Sequence, residues 1–378
     1  MNLRVAVCGP AGDAQFAIGL RRLGAEVVRV GNDEPIPSPR PEIFIDAPRN
    51  GGYTAEYWAR PCEESEERER GDFTWPEFHA IIGGQPLDLI FVREGAWSFI
   101  GPRVAPYEKT PVVLFAADPS RGPEKHIRDA VKSGAVKILV QAPYFVPAYN
   151  NRRAIQKCVE FYRRIKPKAP ACPPPVFVAE YRFPFSYHDK IFQPAWNTPK
   201  IYDIVFRGTV IPRAGSTFAT PFGEAWHRSR LLELLVRDPD FKVSVGDGLQ
   251  PAGWAALAHQ GKLLLQYDGG TFPFFTGLTR RTFEILGSGE FLFMNRSLTS
   301  EQVFKDGVHY GGFQTFYHPL HHHFEFFDYS VFKTEAMRWL EDDTGRDRVR
   351  HAGYEEVRAR HKPEDRALEI LRSVGLAP

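Results

Sequence analysis

The sequence predicts an α/β protein with two doubly wound units, and two observations carry this prediction. The first is a strand–turn–helix–strand opening, in which the apolar run Leu3 to Cys8 and the extended run Glu26 to Val30 flank a helical stretch from Gln15 to Leu23. The second is the return of the same rhythm from Tyr202 onward, after a proline-rich segment. At 378 residues the chain also exceeds what one hydrophobic core usually supports.

The N-terminal part continues with short apolar runs bounded by turn residues, which are typical of buried parallel strands. We expect strands at 43–46, 87–93, 111–116 and 136–141. A polar helix is expected from Glu124 to Ser133, between the last two strands. Residues 1–165 are therefore predicted to form a Rossmann-like domain.

Residues 166–199 contain eight prolines and are predicted to form a linker, because proline lacks a backbone donor and fixes φ. A second Rossmann-like domain is expected over 200–335. Its strands are predicted at 202–206, 241–245, 262–266 and 291–294, and its helices at 227–236 and 280–286. Residues 336–378 are predicted to be helical, with breaks at Gly345 and Pro363.

Composition excludes several classes of protein. Hydrophobic residues make up 43% and charged residues 25%, which is ordinary for a globular protein and argues against extensive disorder. The formal net charge of +2 argues against a general nucleic-acid coat. The sequence contains no run of about 18 apolar residues, so no membrane span is predicted. The four scattered cysteines favour reduced thiols and a cytoplasmic location.

The most informative motif is a glycine turn that opens the predicted helix at Arg280. Backbone N–H groups at a helix start can hold phosphate oxygens, and Arg280 and Arg281 add charge-assisted bonds. Glu284 lies one turn further on, and its carboxylate can accept hydrogen bonds from both hydroxyls of a ribose. The alternative interpretation is an ordinary capped amphipathic helix with an Arg280–Glu284 pair.

The run Thr276-Gly277-Leu278-Thr279-Arg280-Arg281-Thr282-Phe283-Glu284 resembles the donor-site helix of GT-B glycosyltransferases of the group 1 type, particularly their spore-maturation (CgeB-like) branch. Other segments resemble this family in the same order. They are Lys200 to Gly208, Arg228 to Leu235, Val245 to Gly248 and Gly353 to Leu371. The resemblance covers about 170 residues in the C-terminal half.

This resemblance implies the GT-B fold, in which two Rossmann-like domains face each other across a cleft. It also implies a nucleoside diphosphate sugar, UDP- or dTDP-linked, as co-substrate, with no cofactor and no metal ion. The implied donor-binding residues are Gly208, Arg213, Thr276, Gly277, Leu278, Thr279, Arg280, Arg281 and Glu284. Retaining members carry a second glutamate where this chain has Thr276, so the glutamate pair is incomplete and the inverting or retaining outcome stays open.

In that arrangement the N-terminal domain holds the acceptor, and an inverting reaction needs a general base there. Carboxylates at the carboxyl ends of parallel strands are the candidates, because open α/β sheets bind ligands at that edge. Asp118 is the first choice, and Glu94 and Asp13 are the others. Each is also compatible with a simple role as a helix N-cap or loop carboxylate.

His318, His321, His322 and His323 suggest a metal site, but their spacing matches no common ligand pattern, so we expect a loop without a metal. The turn at Gly9 lacks a GxGxxG motif, which argues against NAD.

The predicted function is transfer of a hexose to a hydroxyl acceptor on a glycan, a small molecule or, least favoured at this net charge, a DNA base. Two alternatives stay open, namely a nucleotide-sugar epimerase of the same double-Rossmann shape and a non-catalytic glycosyltransferase-like assembly protein.

Overall fold

The structure is a computed structural model that describes residues 2–8, 14–30, 42–47, 54–58, 86–93, 110–116, 123–133, 135–141, 143–165, 177–208, 224–246, 251–267, 278–318 and 321–378. The contacts divide the chain into two compact units. Unit 1 comprises residues 1–36, 66–186 and 363–378, and unit 2 comprises residues 37–65 and 187–362.

The strands, in chain order, are β1 (Arg4–Cys8), β2 (Glu26–Val30), β3 (Glu42–Ala47), β4 (Thr54–Trp58), β5 (Leu89–Arg93), β6 (Val112–Ala116), β7 (Lys137–Val140), β8 (Val178–Tyr181), β9 (Tyr202–Arg207), β10 (Val243–Gly246), β11 (Gly261–Gln266), β12 (Leu292–Asn295), β13 (Gly311–Phe313), β14 (Phe316–His318) and β15 (His321–Phe326).

Within the described ranges the α-helices are α1 (Ala14–Arg22), α2 (Pro123–Ser133), α3 (Val146–Tyr149), α4 (Arg152–Ile165), α5 (Glu224–Arg237), α6 (Pro251–Ala258), α7 (Arg280–Gly287), α8 (Leu298–Val303), α9 (Tyr329–Glu341), α10 (Asp343–Arg360) and α11 (Pro363–Ser373).

Unit 1 is built on a parallel sheet with the strand order β2-β1-β5-β6-β7-β8. The central strands β5 and β6 are almost entirely buried, as expected for a parallel sheet covered by helices on both faces. The strand β8 lies within the segment predicted to be a linker, where an apolar stretch between prolines pairs with β7. The proline-rich segment therefore contributes to the sheet of unit 1.

The helix α11 packs on α1 within unit 1. A Cβ at Gly19 of α1 would collide with the Pro363 carbonyl oxygen, so only glycine permits this approach. An ion pair joins Arg22 Nη1 and Glu364 Oε1 at 3.1 Å. The guanidinium of Arg366 lies 4.4 Å from the ring centroid of Phe183. These contacts attach residues far apart in the chain to one core.

Unit 2 is built on a sheet with the order β13-β12-β11-β9-β10-β3-β4. The strands from β13 to β10 are parallel, and the hairpin of β3 and β4 joins antiparallel to β10. A strand at 43–46 does form, but it lies in the sheet of unit 2 instead of the N-terminal sheet. Its length and apolar character are local properties, whereas its pairing with β10 is set by tertiary structure.

The C-terminal helices differ from the prediction at one break. Gly345 lies inside α10, and the chain breaks at Asp342, whose Oδ1 accepts a hydrogen bond from the Gly345 N–H at 2.7 Å. Asp342 is thus the N-cap of α10, and the predicted break at Gly345 is wrong. The predicted break at Pro363 is confirmed, because proline starts α11 at a position where no N–H is needed. No helix in the described ranges is long and apolar enough to cross a membrane.

Candidate functional site

The candidate site lies at the carboxyl edge of the unit 2 sheet, where β9, β10 and β11 end side by side. β9 is followed by Gly208, β11 ends at Gln266, and α7 starts at Arg280 on the way from β11 to β12. A helix that connects two parallel strands begins at the carboxyl edge of their sheet, so the positive end of its dipole faces this edge. Parallel sheets bind ligands at this edge.

A buried hydrogen-bond chain ties the start of α7 to the end of β11. The Thr282 hydroxyl donates to Gln266 Oε1 at 2.8 Å and accepts from the Thr279 N–H at 3.1 Å. Gln266 and Thr282 are almost fully buried, so breaking either bond would leave a buried polar group to be desolvated. These two hydrogen bonds therefore fix the position of the first turn of α7 relative to the sheet.

Arg280 and Glu284 form an ion pair one turn apart on α7, with Nε and Oε1 separated by 2.8 Å. The Glu284 side chain is 5% exposed and that of Arg280 is 41% exposed. A carboxylate at this depth is favourable only when it is paired. The pair therefore holds a buried carboxylate one turn below the helix start, with a cation above it that remains partly open to solvent.

Arg281 extends over the end of β9. Its guanidinium carbon lies 5.7 Å from the ring centroid of Phe206, and a Cβ at Gly208 would lie 2.9 Å from both Nη1 and Nη2. Gly208 has φ of +154°. The missing side chain at Gly208 thus provides the space in which the Arg281 guanidinium lies.

A third arginine at this edge, Arg207, was not predicted from the sequence as a site residue. Arg207 is 4% exposed and donates from Nη1 to the Phe206 carbonyl oxygen at 2.9 Å and from Nη2 to Ser244 Oγ at 3.1 Å. Gln266 was also not predicted. Both residues could have been found in the sequence, because each is a polar residue at the end of an otherwise apolar strand. Residues at the carboxyl ends of parallel strands lie at the ligand-binding edge of the sheet.

The structure brings Gly208, Leu278, Thr279, Arg280, Arg281 and Glu284 to the same edge of unit 2. Leu278 is buried at 1% exposure and contributes packing at the helix start. Arg213, Thr276 and Gly277 lie outside the described residues. The three candidate bases, Asp13, Glu94 and Asp118, also lie outside them.

A separate ionic cluster lies at the opposite, amino edge of the same sheet. The carboxylate of Glu290, which is 1% exposed, accepts from Lys200 Nζ at 2.5 Å and contacts His259 Nδ1 at 2.9 Å. Burial lowers the pKa of Lys200, although the Glu290 carboxylate opposes this effect. Because the three residues precede β9, β11 and β12, the cluster links the starts of these strands and is remote from the carboxyl edge.

No group of three or more His, Cys, Asp or Glu side chains in the described ranges is arranged to hold a metal ion. His318 ends β14 and His321 starts β15, and the two are paired in the register of this hairpin. The side chains of His318, His321, His322 and His323 lie outside the described part of the structure. These four histidines therefore lie in the strands of a hairpin, so the expected loop is wrong, whereas the expectation that they bind no metal stays a prediction.

The part of the chain that contains α7 is similar to a known protein family, and the whole chain is similar to several solved structures. Residues 211–372, which include α7, match the family described as glycosyl transferase-like. Sucrose-phosphate synthase from Thermosynechococcus elongatus has a similar structure, with a TM-score of 0.56 at 14% identity over 99% of this chain and 98% of that one. HepE from Anabaena, solved in complex with UDP and glucose, has a TM-score of 0.53 at 10% identity over 99% of both chains.

The fold is GT-B. A glycosyltransferase from Rickettsia africae agrees with this, with a TM-score of 0.53 at 10% identity over 98% of this chain and 97% of the other. No curated relative matches the chain. The predicted α/β class with two Rossmann-like units is confirmed by the two sheets and by these neighbours. The family match and the fold together support a GT-B glycosyltransferase.

Proposed function

We propose that this GT-B protein transfers a hexose from a nucleoside diphosphate sugar, UDP- or dTDP-linked, to a hydroxyl group of an acceptor. The observation that carries this proposal is the basic start of α7 at the carboxyl edge of the unit 2 sheet. Its two arginines and a buried glutamate lie within the part of the chain that matches glycosyl transferases. HepE, a structural neighbour, has been solved in complex with UDP-glucose.

The leaving group of such a transfer is a nucleoside diphosphate, on which negative charge grows as the bond to the sugar breaks. Arg281, held over Gly208, and Arg280, partly exposed at the helix start, supply positive charge at the edge where the diphosphate would bind. The N–H groups and dipole of α7 act in the same direction. Stabilisation of the developing charge by such prepositioned groups lowers the barrier to transfer.

Glu284 is assigned to the ribose of the nucleoside. Arg280 binds one of its oxygens, Oε1, and this contact fixes the orientation of the carboxylate. In a UDP-linked donor, two hydroxyls on adjacent ribose carbons are suitable donors to a carboxylate held in this way, whereas the deoxyribose of a dTDP-linked donor offers one. In this proposal Arg280 therefore serves both the phosphates and the orientation of Glu284.

The acceptor side is assigned to carboxylates that follow strands of unit 1, with Asp118 as the base and Glu94 and Asp13 as the alternatives. In an inverting reaction the acceptor oxygen attacks the anomeric carbon, the bond from that carbon to the diphosphate oxygen breaks, and the carboxylate takes the hydroxyl proton. The arginines at the donor site neutralise the leaving group, so the proposed reaction requires no metal ion.

The finer assignment to the spore-maturation (CgeB-like) branch is supported by the run from Gly277 to Glu284, in which a glycine-leucine pair, an arginine and a Phe-Glu pair recur in order. Thr276 departs from the paired-glutamate pattern of retaining group 1 enzymes. We therefore propose that contacts to the sugar ring and the diphosphate near Thr276 come from backbone N–H groups.

The proposal is tested by calorimetric titration of the wild-type protein with UDP, dTDP and their hexose derivatives. In the Glu284→Ala variant, loss of the carboxylate leaves the ribose hydroxyls of UDP unpaired, so affinity for UDP should fall by about 1–3 kcal/mol. The matched control is Glu233→Ala, which removes the exposed ion pairs of Glu233 with Arg230 and Arg237 on α5 of the same unit. Wild-type nucleotide affinity in a folded Glu284→Ala protein would contradict the assignment of the ribose site.

A further inference from the structure

Unit 1 contains an open groove between α2 and α4 that the proposed transfer reaction does not use. Its volume is about 440 Å³, within the range of small-molecule sites. One wall carries Glu124 and Arg128 from α2, and the other carries Arg153, Lys157 and Phe161 from α4. All of these residues belong to unit 1.

The α4 wall presents a stripe that changes from cationic to apolar along the helix. Arg153, Lys157 and Phe161 are four residues apart, so they lie on one face and span about 12 Å along the helix axis. Asn151 caps the helix start, because its Oδ1 accepts from the Arg153 N–H at 3.1 Å. One backbone N–H at the helix start is therefore already hydrogen-bonded within the protein. For this reason we assign ligand binding in the groove to side chains.

The cations of the groove have no carboxylate partner within the described part of the chain: Arg128, Arg153 and Lys157 form no ion pair there. With Glu124 as the single acidic side chain in the lining, the groove carries a formal charge of +2. Cations that converge on one concave surface without partners are suited to a multiply charged anion such as a phosphate group.

Phe161 adds a second requirement on the ligand. Its side chain is 52% exposed at the apolar end of the stripe, so the ring is accessible to a ligand in the groove. An exposed ring beside a phosphate-binding surface can stack against a flat ring of the ligand.

A membrane surface is the less favoured occupant, although α4 is basic and amphipathic. An interfacial helix must insert its apolar face into the lipid. The apolar residues of α4, including Ile155, Cys158 and Val159, are packed against the core of unit 1. Phe161 is the one large apolar side chain that the lining of the groove offers to a partner.

We propose that the groove between α2 and α4 binds a phosphorylated small molecule that carries a flat ring, the chemistry of a mononucleotide. The phosphate contacts Arg153, Lys157 and Arg128, and the ring stacks on Phe161. This site lies in unit 1 and is independent of the proposed donor site at α7 in unit 2.

Cys158 provides a local reporter, because its half-buried thiol lines the same groove and is free. Burial raises the pKa of this thiol, so alkylation by iodoacetamide is slow enough to follow at mildly alkaline pH. Alkylation of Cys158 is measured by peptide mass spectrometry on the full chain with AMP, ribose 5-phosphate, adenosine, inorganic phosphate or phosphatidylglycerol vesicles. AMP should protect Cys158 most strongly, because it alone supplies both the phosphate and the ring.

The variants separate the two contacts. Lys157→Glu should weaken protection by AMP about tenfold or more, since a charge-assisted bond becomes a repulsion. Phe161→Ala should weaken protection of Cys158 by AMP about fivefold or more and leave protection by inorganic phosphate unchanged. Arg164→Glu is the matched control, because Arg164 is exposed on α4 but does not line the groove, and it should bind AMP like the wild type.

Three results would overturn the proposal. They are no protection of Cys158 by AMP, equal protection in the wild type and Lys157→Glu, and protection by the anionic vesicles alone, which would make the face a membrane contact. Repeating the titration in Glu284→Ala separates the two sites: AMP protection of Cys158 should be unchanged there, whatever the outcome for the proposed donor site.

Discussion

The contact between Gly208 and Arg281 allows a sharp test of the donor site through Gly208→Ala. The new Cβ would lie 2.9 Å from both terminal nitrogens of Arg281 and 3.2 Å from its guanidinium carbon. Ordinary van der Waals separation is about 3.5–4.0 Å, so the guanidinium must move by roughly 0.5–1 Å. Because it is the end of a flexible side chain, this movement itself costs little stability.

The expected effect on activity is larger than the effect on folding. A displacement of about 1 Å in a group that stabilises a transition state can cost up to about 100-fold in rate, so we expect turnover to fall about tenfold to 100-fold. The φ of +154° at this position adds backbone strain of about 1–3 kcal/mol, seen as a lower melting temperature. Turnover is measured as release of the nucleoside diphosphate at saturating donor.

Two further variants separate the effect of backbone strain from the effect of displacing the Arg281 guanidinium. Gly307→Ala introduces a side chain at φ of +71° with no atom within 4 Å of the new Cβ, so it reproduces backbone strain without displacing a functional group. It should lower the melting temperature and keep turnover. In an Arg281→Ala background, Gly208→Ala should cause no further loss of turnover, because the group it displaces is already absent. Additive losses in the double variant would refute the reasoning.

Three other predictions concern the base, metal ions and pH. Asp118→Asn should keep donor binding and lower turnover by about two orders of magnitude, with inversion at the anomeric carbon of the wild-type product; full activity, or retention, would exclude Asp118 as the base. Activity should survive exhaustive EDTA treatment, and loss that one divalent ion restores would indicate a metal-dependent enzyme. Burial alone would raise the pKa of Asp238, but hydrogen bonds from Lys333, the Asp240 N–H and Tyr329 lower it below 3.8. The ionised form is therefore favoured in the folded state, and the stability it provides is complete above the unfolded pKa and is lost as pH falls through the lower folded value. Asp238→Asn should thus destabilise the protein by about 2 kcal/mol at pH 7, and the difference should shrink below about pH 4; an equal difference at pH 3 and pH 7 in denaturant titrations would contradict this.

The elements of the candidate site were predictable because local signals define them. Apolar runs bounded by turns gave β9 and β11, and the change from a glycine turn to helical spacing gave the start of α7 at Arg280. Two of the contacts also join residues that the sequence indicated. Gly208 and Arg281 were indicated separately, whereas the Arg280–Glu284 pair was itself part of the alternative interpretation of this helix.

What the sequence did not indicate depends on pairing between distant segments. The bond from Arg207 to Ser244 spans 37 positions, and the bond from Thr282 to Gln266 spans 16. The strand at 43–46 was found as an apolar run, but its place beside β10 in unit 2 is a property of the whole fold. At Asp342 a local signal did exist, because an aspartate before a helical stretch is a strong N-cap candidate.

The packing of α11 on α1 has a consequence for how the protein is made. Arg22 and Glu364, which pair across these helices, are 342 positions apart. At a synthesis rate of about 5–20 residues per second, α1 emerges from the ribosome roughly 20–70 s before its partner helix exists. Throughout that time the surface of α1 that receives α11 is open to chaperones and to other nascent chains, and unit 1 can complete its core only after all of unit 2 has been translated.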